Sequence, residues 1–223
     1  MKQICRNLPL LSLLCFCAPF ASAQSSVDFG LGFGTVHDKA NGGGIDSASS
    51  ANAYGPCVPG PSDPFCQANP SLGGFFLGIG GDVMLTKLYG FGAEVNVTPL
   101  RNDYGPLQFR QTFFDVNGIL APVNTKRVQL QLQGGIGIAH TSFSINQSGC
   151  VGTAVCSYQN LPVGTSNHFQ LHAGVGISLF VTEHVFIRPQ FDIHYVPGFT
   201  DQFGSNLAPG GSIWLGYNFG DRQ

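Results

Sequence analysis

From residue 27 onward, apolar and polar residues alternate with a period of two in eight separate stretches, the pattern of half-buried β-strands. The first carries Val27, Phe29, Leu31 and Phe33 on one face, and the second Phe75, Leu77, Ile79, Val83 and Leu85. The third reads Tyr89, Phe91, Ala93, Val95 and Val97. A less regular fourth sets Phe114, Val116 and Leu120 against Asp115 and Asn117. The fifth runs from Val128 to Ile138, the sixth from Phe169 to Leu179, the seventh from Val185 to Tyr195, and the last from Ile213 to Phe219.

The faces between these apolar rows hold Asp28, Asp82, Glu94, Asp115, Gln129, Gln131, Gln133, His168, Gln170, His172, Arg188, Gln190, Asp192 and His194. Such residues, with almost no Lys among them, do not resemble the solvent face of a water-soluble sheet. They fit a barrel standing in lipid, apolar outside and polar within. The connections agree. Residues 86–88, 121–127 and 182–184 make tight turns, whereas 39–72, 99–107, 146–167 and 197–209 read as long loops rich in Gly, Pro, Ser and Asn. Short turns at one rim, long loops at the other and an even strand count predict an all-β fold. It is an eight-stranded antiparallel up-and-down transmembrane β-barrel with both chain ends in the periplasm. Closure removes the sheet edges that hydrocarbon cannot satisfy. Pro189 lacks the N–H a ladder needs, so a bulge or a missing ladder bond is expected there.

Composition narrows the class. Charged residues are 10% of the 223, against about a quarter in soluble domains, while Gly supplies 31 and Phe 19. Ten Lys+Arg against twelve Asp+Glu leave no basic field, so nucleic acid is not an expected partner. Lys2 and Arg6, the apolar run 8–20 and Ala21-Ser22-Ala23 form a secretory signal, giving a signal peptide over 1–23 and a barrel domain over 24–223. Three cysteines lie in that signal. The other four fall into local pairs, Cys57 with Cys66 and Cys150 with Cys156, and export favours two loop disulfides. A zinc site would want tighter C-x-x-C spacing with His partners.

The last strand, Gly211-Ser-Ile213-Trp-Leu215-Gly-Tyr217-Asn-Phe219, alternates apolar residues and ends on an aromatic. With the preceding seven, it makes the chain resemble the small eight-stranded outer-membrane β-barrel family of diderm bacteria, the OmpX-like or porin-family barrels. The resemblance covers nearly all of residues 25–220. It implies residence in a bacterial outer membrane, contact with outer-membrane lipid, and insertion by the barrel-assembly machinery, which reads such a terminal strand. The four residues after Phe219 depart from the usual family ending.

The interior leaves choices open. Twelve strand glycines, among them Gly30, Gly32, Gly78, Gly80 and Gly216, point inward. Either they make room for Phe76, Phe180, Phe186 and Trp214 in a filled barrel, the favoured reading for eight strands, or they line a narrow pore. Interior carboxylates Asp28, Asp82, Glu94, Asp115 and Asp192 face Arg188 alone, leaving His168, His172 and His194 as further counter-charges. A hydrogen-bonded network of these groups is expected. The hairpin register also sets His172 opposite His194 with Asp192 one inward step away, the raw material of a transition-metal site, but no metal or other cofactor is assigned. His140-Thr-Ser142 resembles the His-x-Ser pair of lipid A deacylase barrels. Glu94 points inward and Glu183 sits at the far rim, so the pair lacks an acidic orienter, and no catalytic residue is assigned. The expected function is a non-enzymatic structural or surface-interaction (adhesin-like) role through the long loops, with an unidentified surface ligand. A narrow pore is the alternative, and a lipid-modifying enzyme comes third.

Overall fold

The computed structural model describes residues 26–38, 44–46, 55–57, 66–68, 71–104, 107–151 and 155–220. The predicted signal at 1–23 lies outside the described residues. Its strands are β1 (Ser26–Val36), β2 (Gly44–Asp46), β3 (Gly55–Cys57), β4 (Cys66–Ala68), β5 (Phe76–Met84) and β6 (Tyr89–Val97). After these come β7 (Asn102–Tyr104), β8 (Leu107–Asn124), β9 (Val128–Val151), β10 (Val155–Phe180), β11 (Val185–Tyr195) and β12 (Leu207–Asn218). Eight of them form one closed antiparallel sheet in the order β6-β5-β1-β12-β11-β10-β9-β8, with β6 pairing β8 to complete the ring. First and last strands meet in register from Asp28↔Asn218 to Val36↔Gly210, so no edge is left in the wall.

Side-chain direction follows the alternation in the sequence. Phe29, Leu31, Phe91, Ile136, Val175, Phe191 and Ile213 are exposed, while Asp82, Glu94, Gln131, Arg188 and Asp192 are buried. In water this arrangement would be unstable, because apolar area would be hydrated and charges desolvated together. In hydrocarbon the outward rows need no cover, and the polar groups satisfy one another inside. Phe33 and Phe75 stack at the loop-side rim, with Tyr217 and Phe219 in edge contact at the other, as aromatic girdles do.

Tight turns close one rim, with Thr86, Thr125 and Thr182 side chains accepting backbone N–H bonds from the residues that follow. The opposite rim departs from expectation. Residues 146–167, read as a loop, are mostly strand: β9 and β10 stay paired to Val151↔Val155, with one register shift between Pro162 and Gly164. The loop-like composition there belongs to a paired two-stranded ribbon. In the first long connection, β2, β3 and β4 form a small separate sheet. β8 also runs on to Asn124, which leaves a turn shorter than 121–127. At Pro189 there is no bulge. The β10–β11 ladder passes from Gly176↔Gln190 to Leu179↔Ile187 in unbroken register, so the missing N–H costs local pairing only.

Candidate functional site

The barrel bore is filled in layers. At the loop-side mouth Leu72, Phe76, Phe109, Phe113, Phe143, Phe199 and Phe203 form a buried apolar cluster. Gly198, with φ of 80°, permits the turn that starts a short 3-10 helix at Phe199–Asp201 and carries Phe199 and Phe203 into the mouth. Phe109 meets Phe203 at 5.2 Å between ring centroids, and Phe199 meets Phe203 at 4.6 Å. Half-buried His168 sits edge-on to Phe199 at this level. This plug was not legible in the strand periodicity, since Phe199 and Phe203 come from a connection.

Beneath it lies a layer of imidazoles and carboxylates. His172 and His194 pair across β10 and β11, as the hairpin register predicts, and their rings stack at 4.9 Å. His172 Nε2 is 3.1 Å from Asp192 Oδ1 and its Nδ1 is 2.8 Å from Asn117 Oδ1. The carboxylate that reaches His194 is that of Asp115: its Oδ2 stands 3.8 Å from His194 Nδ1, while Gln170 Nε2 donates to Oδ1 at 2.6 Å. Phe113 stacks on the other face of His194 at 4.5 Å.

Deeper still, Arg188 Nη1 donates to Asp82 Oδ2 and to Gln131 Oε1, both at 2.6 Å, and Nη2 lies 3.4 Å from Glu94 Oε1. Gln190 Nε2 bridges Glu94 Oε2 and Asp192 Oδ1, each at 3.0 Å, joining this layer to the one above. Trp214 covers the guanidinium at 5.4 Å from its ring centroid. At the turn-side end Asn218 Nδ2 donates to Asp28 Oδ1. Asp82, Glu94, Asp115, His172, Arg188 and Asp192 are thus joined by the amides of Asn117, Gln131, Gln170 and Gln190, whereas His168 and His194 meet aromatic rings and Asp28 meets Asn218.

The inward glycines are sockets for this filling. A Cβ on Gly32 would lie 2.7 Å from Trp214 Cε2, one on Gly78 2.8 Å from its Cη2, and one on Gly80 3.3 Å from its Cζ3. Gly216 abuts the Phe186 ring, and Gly176 the Arg188 side chain.

Outside the bore, Ile138 and Phe169 pair as outward apolar residues of β9 and β10. Beyond them His140, Ser142, Thr165 and Asn167 face out, and His140 Nδ1 is 2.7 Å from Asn167 Oδ1. The imidazole therefore has a partner across the ladder, the Asn167 amide rather than a carboxylate. Cys150 and Cys156 stand opposite one another in the same ribbon. Cys57, on β3, faces Gly44, and Cys66, on β4, faces Asp46 on the other side of β2. The thiols of all four lie outside the described side chains.

A closed eight-stranded barrel, lipid-compatible outside and filled with a polar network, is a membrane-spanning β-barrel protein. The chain belongs to the outer membrane protein beta-barrel domain family, which it matches over residues 8–198, and it is a protein of the bacterial outer membrane. No curated protein matches its sequence. Among solved structures it is similar to Ail, the attachment invasion locus protein of Yersinia pestis, in complex with the heparin analogue sucrose octasulfate. That match has 10% identity and a TM-score of 0.49, covering 88% of this chain and 99% of that chain. It is also similar to Neisserial surface protein A, at 14% identity and TM-score 0.46, over 88% and 96% of the two chains. The outer membrane protein OprG from Pseudomonas aeruginosa matches at 15% identity and TM-score 0.46, again over 88% and 96%.

Proposed function

We propose that this protein is a plugged, rigid anchor that presents its β9–β10 ribbon and neighbouring long connections to a macromolecular partner at the cell surface. The observation that carries this reading is the ribbon itself. After the lipid-facing pair Ile138/Phe169, β9 continues over residues 139–151 and β10 arrives over residues 155–168. At ~3.3 Å per residue that is about 40 Å of paired strand beyond the apolar band, whereas a span needs only about ten residues. Paired backbone orders a protruding segment before any partner arrives, which lowers the entropic cost of binding. A Cys150–Cys156 disulfide would stiffen its tip further, since directly opposed strand residues have Cα separations of about 4.5–5.5 Å, inside the disulfide range.

A non-enzymatic anchor also agrees with the bore, where an aromatic plug, a hydrogen-bonded layer and Trp214 fill the cross-section in turn. In this reading residues 1–23 are a cleaved signal, and the barrel-assembly machinery inserts the domain over 24–223. Two measurements test it. Refolded protein inserted in a planar bilayer gives no discrete conductance steps, and reproducible steps would put a solute pore in its place. Cells displaying the chain bind features on protein and glycan arrays, and lose them when residues 147–159 are replaced by a two-residue Asn-Gly turn. Binding that survives the replacement would refute the role of the ribbon.

A further inference from the structure

We propose that Asp115, His172 and His194 form a buried site for one divalent transition-metal ion of the zinc class. The three residues come from β8, β10 and β11, and each offers one ligand atom within 4.8 Å of the others. Two of those atoms have been left without a hydrogen-bond partner: Asp115 Oδ2 and His194 Nδ1 are both buried and unsatisfied. Asp115 is 0% exposed and His194 2%, so bulk solvent does not reach either atom. Each such atom costs on the order of 1–3 kcal/mol, which an ion held between these two would offset.

Their geometry suits an ion. Asp115 Oδ2 and His194 Nδ1 are 3.8 Å apart, too far for a hydrogen bond, yet close to the spacing of two ligands that each stand about 2.0–2.2 Å from one ion. Asp115 is already oriented as a ligand is. Gln170 holds the other oxygen of Asp115, turning Oδ2 toward the gap. His172 is held through Asn117 on one ring nitrogen and Asp192 on the other, and it takes the ion by giving up one of these two bonds. Phe113 and His172 sandwich the His194 ring, which holds its plane. Two imidazoles and one carboxylate favour zinc-class ions over the hard cations, which prefer oxygen. A cavity of about 20 Å³ lined by Asp192, His194, Phe76 and Asn96 adjoins the cluster and has room for one water as a fourth ligand. Charge points the same way. Five buried carboxylates on the spanning strands, Asp28, Asp82, Glu94, Asp115 and Asp192, are set against Arg188, and a divalent ion offsets two of them.

The sequence register offered Asp192 as the carboxylate beside the two histidines. Asp192 instead serves His172 from outside, and Asp115 reaches the site only because the barrel closes.

The test uses untagged, refolded protein stripped with EDTA and titrated with Zn²⁺ against a chromophoric chelator. The expected result is one ion per barrel, at least tenfold weaker in Asp115→Asn and in His194→Phe. Asp115→Asn is isosteric and His194→Phe keeps a flat ring, and a heat-modifiable gel shift shows that each still folds. Co²⁺ in the parent protein should give the visible bands of a low-coordinate site, lost in His194→Phe. His140→Ala and His184→Ala remove half-buried imidazoles away from the cluster and should leave zinc binding unchanged. Folded protein that takes up no ion overturns the proposal, as does binding that persists undiminished in Asp115→Asn and His194→Phe.

Discussion

Replacing Arg188 with Met tests whether the bore is held by its charge network or merely filled. The guanidinium makes two 2.6 Å bonds, to Asp82 and Gln131, and approaches Glu94 at 3.4 Å. Met restores much of the volume under Trp214 but leaves Asp82, 2% exposed, with its charge uncompensated. Breaking a buried pair by removing one partner costs about 3–5 kcal/mol, or roughly two to four powers of ten in the folding equilibrium. Converting Asp82 to Asn in the same chain removes the stranded charge, so the double variant Arg188→Met/Asp82→Asn should recover about half of the loss or more. A double-mutant cycle reads that coupling directly. The assay is urea unfolding in lipid vesicles, followed by gel mobility and by the fluorescence of Trp214, the one tryptophan in the chain. A midpoint for Arg188→Met that implies less than about 1 kcal/mol, or strictly additive single changes, would refute the reasoning.

Four more outcomes are expected. Gly32→Val sets a Cβ 2.7 Å from the Trp214 ring and should destabilise by about 1–3 kcal/mol in the gel-mobility assay, with Trp214→Ala in the same chain relieving the strain. Val175→Arg, which faces lipid between Leu132 and Phe191, should cost about 2–4 kcal/mol, whereas Val181→Arg at the turn-side rim should cost about 0–1 kcal/mol. Mass spectrometry of unreduced protein should find Cys150 and Cys156 in one cross-linked peptide, and Cys150→Ser should leave the barrel folded. Lipid A incubated with the protein should keep all its acyl chains, and loss of a chain that His140→Ala abolishes would establish the enzyme instead.

The alternation of residues along each strand was enough to define the barrel, because a period of two assigns every side chain to lipid or bore once one face is known to be apolar. Neighbour relations within a hairpin were legible for the same reason. His172 opposite His194 follows from where the turn at 182–184 falls. Contacts across the bore were not. Asp82 on β5 and Glu94 on β6 reach Arg188 on β11, and Asp115 on β8 reaches His194, only because a sheet of eight strands closes at a particular shear. The aromatic mouth depends on a loop whose path no periodicity records. The β9–β10 ribbon hid for the opposite reason: outside the membrane a strand has no lipid face to fill, so its sequence loses the apolar rows that mark strands elsewhere. The sequence determined which residues face inward and which face lipid. Tertiary structure decided which inward residues meet, because that is a property of the ring rather than of any one strand.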